Sequence, residues 1–304
     1  MGKVGLIQVD GKLPNMALMQ ICRYHEDLGD TVEWWKGPLW SYTYDKIYAS
    51  KIFNFSQMPN IPDWAMIGGT GIDFYNTLPA EIENCKPSYT LYPDCSYHIG
   101  FSMKGCRFAC KFCCVPKKEG RPRHHSAIDD LLINPNGSNR LMLLDNDFFG
   151  SPNWKADLNR IIELNLKVCF VQGLNIRILT QEQAEALAKC NYYNSKFNKR
   201  YLTFAWDKYK DRTLIEKGIK ICNDAGVPCE RMQFFVLIGF DTTPEQDYER
   251  VMTLKEYGCK PFVMPYQKDH PYQKAFTRWV NYRPIFEKVD WSEYKYNPNV
   301  MIKH

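Results

Sequence analysis

The sequence predicts an α/β fold built on parallel strands, and two observations carry the prediction. From Cys95 onward, apolar β-rich runs at 97–102, 140–144, 167–171, 201–205, 233–238 and 261–264 alternate with amphipathic stretches at 181–190, 213–225 and 244–257 that repeat with helical periodicity. Strands separated by helices imply crossover connections, and crossovers join parallel neighbours. The second observation is a smaller unit of the same kind ahead of Cys95, with strand-like runs at 4–9, 31–35, 46–49 and 64–67 and an amphipathic helix at 15–28. Periodicity alone does not separate a barrel from a doubly wound sheet.

Composition bounds the function classes. A chain of 304 residues accommodates one large domain and a small one. With 45% hydrophobic and 24% charged residues it is neither disordered nor fibrous. No run approaches the ~20 apolar residues that cross a bilayer. The start, Met-Gly-Lys-Val-Gly-Leu-Ile, leads straight into a strand, and Leu6 stands where a myristoylation motif wants Ser or Thr. We therefore expect a cytoplasmic protein without membrane contact. The net charge of +5 permits a polyanionic substrate without arguing for one, and Lys117, Lys118, Arg121 and Arg123 read as a solvated basic loop. The 12 cysteines come without a small-domain disulfide framework, which points to a reducing compartment.

The chemistry is concentrated in residues 105–116, Gly-Cys-Arg-Phe-Ala-Cys-Lys-Phe-Cys-Cys-Val-Pro, where Cys106, Cys110 and Cys113 stand at a C-x3-C-x2-C spacing. Three thiolates this close capture a metal. Structural zinc wants four ligands and commonly a second C-x2-C pair far along the chain, which the sequence lacks. Cys114 is adjacent to Cys113, and neighbouring residues rarely point the same way. A 4Fe-4S cube held by three cysteines leaves one iron open to an external molecule, whereas an electron-transfer cluster normally uses four.

On this motif the chain resembles the radical S-adenosylmethionine (SAM) superfamily, down to the aromatic Phe112 before the third cysteine. The resemblance implies a partial (β/α)6 TIM-like barrel over 93–268, with the cluster loop after its first strand. It also implies a 4Fe-4S cluster on Cys106, Cys110 and Cys113, SAM chelated at the open iron, and reductive cleavage of SAM to a 5′-deoxyadenosyl radical. A small reductant protein of flavodoxin or ferredoxin type would supply the electron. In such folds the chemistry sits at the C-terminal strand ends. Asp145 and Asn146 occupy the position of a family turn that holds the SAM amino group. Arg177 is expected to clamp the SAM carboxylate, because a guanidinium fork matches a carboxylate, with a salt bridge as its alternative role. Ile238 and Gly239 match the stretch that contacts the adenine, and Thr242 or Thr243 would cap the following helix. Gln172, Asp207 and Tyr266 are assigned to the substrate side as catalytic candidates.

The small Rossmann-like unit, 1–92, ends in Met-Ile-Gly-Gly-Thr-Gly-Ile-Asp, which resembles the close of the cobalamin-binding domain that precedes many radical SAM cores. There the glycine pair lies against the cobalamin nucleotide tail. Here no Asp-x-His-x-x-Gly run supplies a histidine ligand, a helix is missing between Lys51 and Pro62, and Trp34, Trp35 and Trp40 offer bulk where the cofactor would lie. We expect a reduced relic and no cobalamin. Methylthiotransferases hold a second cluster on three cysteines of their N-terminal domain. Cys22, Cys85 and Cys95 are present, but core packing is the expected use of all three. Residues 269–304, with Arg278, Trp279, Tyr282, Arg283 and Trp291, are expected to close the barrel mouth.

The expected function is a radical SAM enzyme acting on an unidentified substrate, nucleic acid being one open class. A cobalamin-dependent radical SAM methylase is the alternative within the superfamily. From a different class, the alternative is a non-catalytic iron-sulfur or zinc protein that binds nucleic acid through its basic loop and aromatics. Polar residues at every strand end argue against that reading, since a binding module has no need of them.

Overall fold

The computed structural model describes residues 1–297. Along the chain run β1 (Lys3–Gln8), α1 (Met16–Asp27), β2 (Thr31–Trp34), β3 (Lys46–Ser50), β4 (Met66–Gly68), α2 (Ala80–Glu83) and β5 (His98–Gly100). They are followed by β6 (Met103–Lys104), α3 (Val115–Lys118), β7 (Arg123–His124), α4 (Ile128–Leu131), β8 (Arg140–Leu143), α5 (Trp154–Glu163), β9 (Lys167–Phe170), α6 (Gln181–Lys189) and β10 (Asn191–Tyr192). The remainder is β11 (Leu202–Ala205), α7 (Arg212–Asp224), β12 (Met232–Ile238), α8 (Pro244–Glu256), β13 (Lys260–Pro265), α9 (Pro271–Asn281) and α10 (Arg283–Lys288). No helix among the described residues is long and apolar enough to cross a membrane. Packing divides the chain into two interleaved units: Met1–Gly100 with Phe108–Arg121 and Asp129–Ser138, and Phe101–Arg107 with Pro122–Ile128 and the chain from residue 139 onward. This division differs from the expected boundaries at 92 and 268, and of the expected C-terminal segment, residues 298–304 lie outside the described residues.

The first unit is a parallel sheet in the order β2-β1-β3-β4. Val4 and Leu6 pack beneath Leu18, Ile21 and Cys22 of α1, while Ile7, Ile47 and Ala49 on the other face meet Tyr44, Met58 and Ile61. Residues 51–63 form no helix, so loop side chains cover the face that a second helix would cover in a fully wound fold. Asn15 starts α1 by accepting from the Leu18 N–H at 3.2 Å.

The second unit winds strand by strand. β8 pairs with β9 and β11 with β12, then β12 with β13, all parallel, and a parallel bridge from Leu174 to Phe204 joins the run after β9 to β11. β10 also pairs in parallel with β9, and a helix separates β8 from β9, β9 from β10, β11 from β12 and β12 from β13. β12 alternates buried and half-buried residues over Met232–Ile238, with Met232, Phe234, Val236 and Ile238 inside. Thr243 caps α8 in a reciprocal capping box with Gln246, and Pro244 occupies the first turn, where a missing N–H costs nothing. α9 covers the outer strand: the Asn281 side chain accepts from the Val263 N–H at 2.7 Å and donates to its carbonyl at 2.9 Å, standing in for a missing neighbour strand.

Candidate active site

The segment that leads into the first motif cysteine is held from three directions within the second unit. β6 pairs antiparallel with β7, so residues 105–122, which carry the whole cysteine motif, leave and return through one short ladder. The His125 N–H extends it by donating to the Ser102 carbonyl at 2.8 Å. From the turn after β8, Asp145 accepts from the Ser102 N–H at 2.8 Å, the Met103 N–H at 3.3 Å and the Ser102 hydroxyl. Asp147 accepts from Arg107. Asp145 and Asp147 are both buried. Burial pushes the Asp145 carboxyl up to about 7 against the lowering effect of its Ser102 and Met103 hydrogen bonds.

Asp145 was expected beside the SAM amino group; here its oxygens receive Ser102 and Met103, so its visible action is on the backbone entering the cysteine loop. Asn146, between the two aspartates, is half-buried. Cys106, Cys110, Cys113 and Phe112 are half-buried as well. The Cys113 N–H donates to the Cys110 carbonyl at 3.0 Å, which closes a tight turn across the C-x2-C part of the motif. Cys114 precedes α3, where the N–H groups of Lys117 and Lys118 both return to its carbonyl. Among the described residues no group of three or more His, Cys, Asp or Glu side chains stands close enough to hold a metal ion. The ligand assignment of the three cysteines accordingly rests on their spacing. As a donor set they suit an iron-sulfur cluster: three thiolates within eight positions, on a turn of the chain.

The remaining candidates fall where strands end. Gln172 is exposed in the turn after β9. Arg177 donates from Nη1 to Asp211 at 2.8 Å and from Nε to Asn175 at 3.1 Å, so its guanidinium already holds a carboxylate of its own chain. Asp207, two residues past β11, is half-buried, and burial raises it to about 6 although the charges of Arg177 and Arg250 pull it down. Ile238 is fully buried at the end of β12. Gly239 has φ +72°, and a Cβ there would collide with the Gln273 amide of α9, so a protein contact explains this glycine without a ligand. Tyr266, half exposed, meets Phe240 edge-on with ring centroids 4.9 Å apart.

Sequence reasoning missed the buried Arg250. From α8 it donates to the carbonyls of Trp206 at 2.7 Å and Leu237 at 2.8 Å and to Asp247 at 2.6 Å, tying the ends of β11 and β12 together. Thr242 and Tyr272 also donate to Asp247. Only the unusual cost of an arginine inside an amphipathic helix marks such a residue in advance. Equally unforeseen is the pairing of Arg107 with Asp147, forty positions apart.

In the first unit the glycine motif after β4 is accounted for by packing. A Cβ on Gly69 would press on the Lys51 backbone, and one on Gly71 would meet the Phe53 backbone at 2.6–2.9 Å. The strand order changes direction between β1 and β3, where doubly wound sheets bind ligands. That position is taken by Asp10, which accepts from the N–H groups of Ile52 and Phe53 at 2.7 and 2.9 Å. Cys22, Cys85 and Cys95 donate to separate acceptors: the Glu26 carboxylate and the carbonyls of Glu81 and Tyr97.

No family model matches the chain. It is similar to the tRNA-2-methylthio-N(6)-dimethylallyladenosine synthase of Aquifex aeolicus (strain VF5), with 26% identity over 223 residues. The alignment covers 66% of this chain and 49% of the relative, so the chain matches about half the length of that enzyme. The similarity supports the radical SAM superfamily at its broadest level and, with it, an enzyme.

Proposed function

We propose that the protein is a radical SAM enzyme whose second unit forms a partial (β/α)6 barrel. The observation that carries this is the C-x3-C-x2-C motif at Cys106, Cys110 and Cys113, and the similarity to a superfamily member supports it. When bound, a 4Fe-4S cluster on these thiolates supplies the electron that cleaves SAM to methionine and a 5′-deoxyadenosyl radical. The chain's own residues position and enclose. Asp145 steadies Ser102 and Met103 ahead of the loop. Arg177 is assigned the SAM carboxylate, which requires it to exchange Asp211 for the ligand; Asn146 is assigned the amino group, and Ile238 with Gly239 the adenine side. Gln172, Asp207 and Tyr266 face the substrate in this scheme, and a flavodoxin- or ferredoxin-type protein is the electron donor. Cobalamin has no part in it.

A tRNA base is the substrate class that the relative's name favours. Methylthiolation on a second cluster is not included, because Cys22, Cys85 and Cys95 each bond elsewhere.

Anaerobic reconstitution tests the proposal. About four irons per chain are expected, with an EPR signal of the reduced protein that changes on adding SAM, and dithionite should yield 5′-deoxyadenosine. Replacing Cys106, Cys110 or Cys113 by Ala should abolish these signals, while Cys114→Ala should not. Stoichiometric zinc in protein purified without oxygen, and no response to SAM, would refute it.

A further inference from the structure

Arg107 directly follows Cys106, and its side chain is locked in place. Nε and Nη2 donate to different oxygens of Asp147, each at 2.7 Å, and the Arg107 backbone N–H adds a third bond to Oδ2 at 3.0 Å. The Asp147 side chain is 2% exposed and that of Arg107 is 34%. Two-point, charge-assisted bonds of this kind fix geometry as well as energy. A surface ion pair rarely orders anything, but here one partner is buried and also binds the backbone next to the cysteine. The cation belongs to the residue adjacent to Cys106 in the chain.

We infer that Arg107 and Asp147 are positioning residues for the cluster: together they fix the chain at Cys106 and balance the charge beside its thiolate. The inference presumes the cluster proposed above. It predicts something that a purely structural pair would not show. Reduction brings a negative charge to the cluster, so removing the neighbouring cation should lower the midpoint potential and removing the anion should raise it. Removing both should leave the potential near that of wild type.

The experiment compares the reconstituted full chain with R107Q, D147N and R107Q/D147N by iron content, EPR and redox titration. Opposite shifts in the two single variants, cancelling in the double variant, are the expected result. R107K retains the charge and guards against loss of folding; its potential should stay closer to wild type than that of R107Q. Unshifted potentials, or shifts of the same sign in both single variants, overturn the inference. A second measurement needs no cluster. In the iron-free chain, trypsin should cut after Arg107 at least tenfold faster in D147N than in wild type, with other sites unchanged. Equal rates there refute the clasp even where the cluster forms, whereas an absent cluster in wild type refutes the proposed function instead.

Discussion

The most strongly perturbed carboxylates of the two units are set by opposite causes. In the first, Glu33 is brought down to about 2, chiefly by its hydrogen bond with Lys3 and then by Tyr44. Asp30 is lowered by the Gly2 N–H and by His25. Burial works to raise Asp10, yet the hydrogen bonds from Ile52, Ser56 and Phe53 prevail and lower it. In the second unit burial raises Asp145 to about 7, and Asp157 and Asp207 to about 6, while at the start of α8 Glu245 is lowered by hydrogen bonds. Carboxylates lowered by partners serve the fold as ions, while those raised by burial are tolerated at its expense. In the first unit Asp10, after β1, is paired with backbone N–H groups, whereas the second keeps Asp145 and Asp207, raised by burial, just past the ends of β8 and β11, a pattern frequent at sites of chemistry.

The largest effect should come from the device that the second unit uses to hold its strand ends. Arg250→Met leaves the Asp247 carboxylate buried without its cation and leaves the Trp206 and Leu237 carbonyls without a donor. A loss of roughly 3–5 kcal/mol is expected in urea unfolding. A loss below ~1 kcal/mol would show that these strand ends do not depend on the arginine, and the contrast with the first unit would weaken.

The first unit should instead break at its glycines, and unevenly. Gly69→Ala places a methyl group against the Lys51 backbone at φ +103°, for an expected cost of roughly 2–3 kcal/mol from crowding and backbone strain. Gly68→Ala meets nothing within 4 Å and should change stability by no more than ~0.5 kcal/mol. Thermal or urea melts of the two variants decide between packing and ligand service. Equal tolerance at both positions would return the motif to a ligand-facing role.

These contrasts mark how far the sequence could be read. Strands such as Lys167–Phe170 and Met232–Ile238 and the Thr243 cap were legible, because alternation and capping are encoded within a few residues. The early end of the 97–102 run at Gly100 and the separate short strand β6 beyond it were not, since β6 depends on the partners that Met103 and Lys104 find in β7. α5 went unread between the second and third strand runs, and its N-cap, Asn153, makes no side-chain cap bond. The cysteine motif was visible as spacing, but the contacts of Arg107 with Asp147 and of Asp145 with Ser102 join residues some forty positions apart, and no local pattern announces them. The glycine run after β4 read as the close of a cobalamin-binding domain; what packs against it is the backbone at Lys51 and Phe53, and that required the fold.

Asp157 gives the mildest and most discriminating test of the electrostatic contrast. It is buried in α5, its Oδ2 has no hydrogen-bond partner, and burial raises it to about 6 despite the nearby charge of His124. An acid whose folded pKa exceeds its unfolded value near ~3.9 stabilises the protein fully below that value, and the benefit is lost as pH rises through the folded pKa. Between pH ~4 and ~6, Asp157 should therefore make the second unit less stable with rising pH, the reverse of what the lowered Glu33 does when acid brings the pH down toward ~2 in the first. Asp157→Asn removes the titration, and a gain of about 1–2 kcal/mol at pH 7.5 is expected, shrinking toward zero at pH 4. Denaturant melts across that window, followed by hydrogen exchange to locate the gain, would show the variant curve flattened in the second unit alone. An unchanged pH slope would mean that Asp157 stays ionised at little cost, and the opposition between the units would then rest on Asp145 and Asp207.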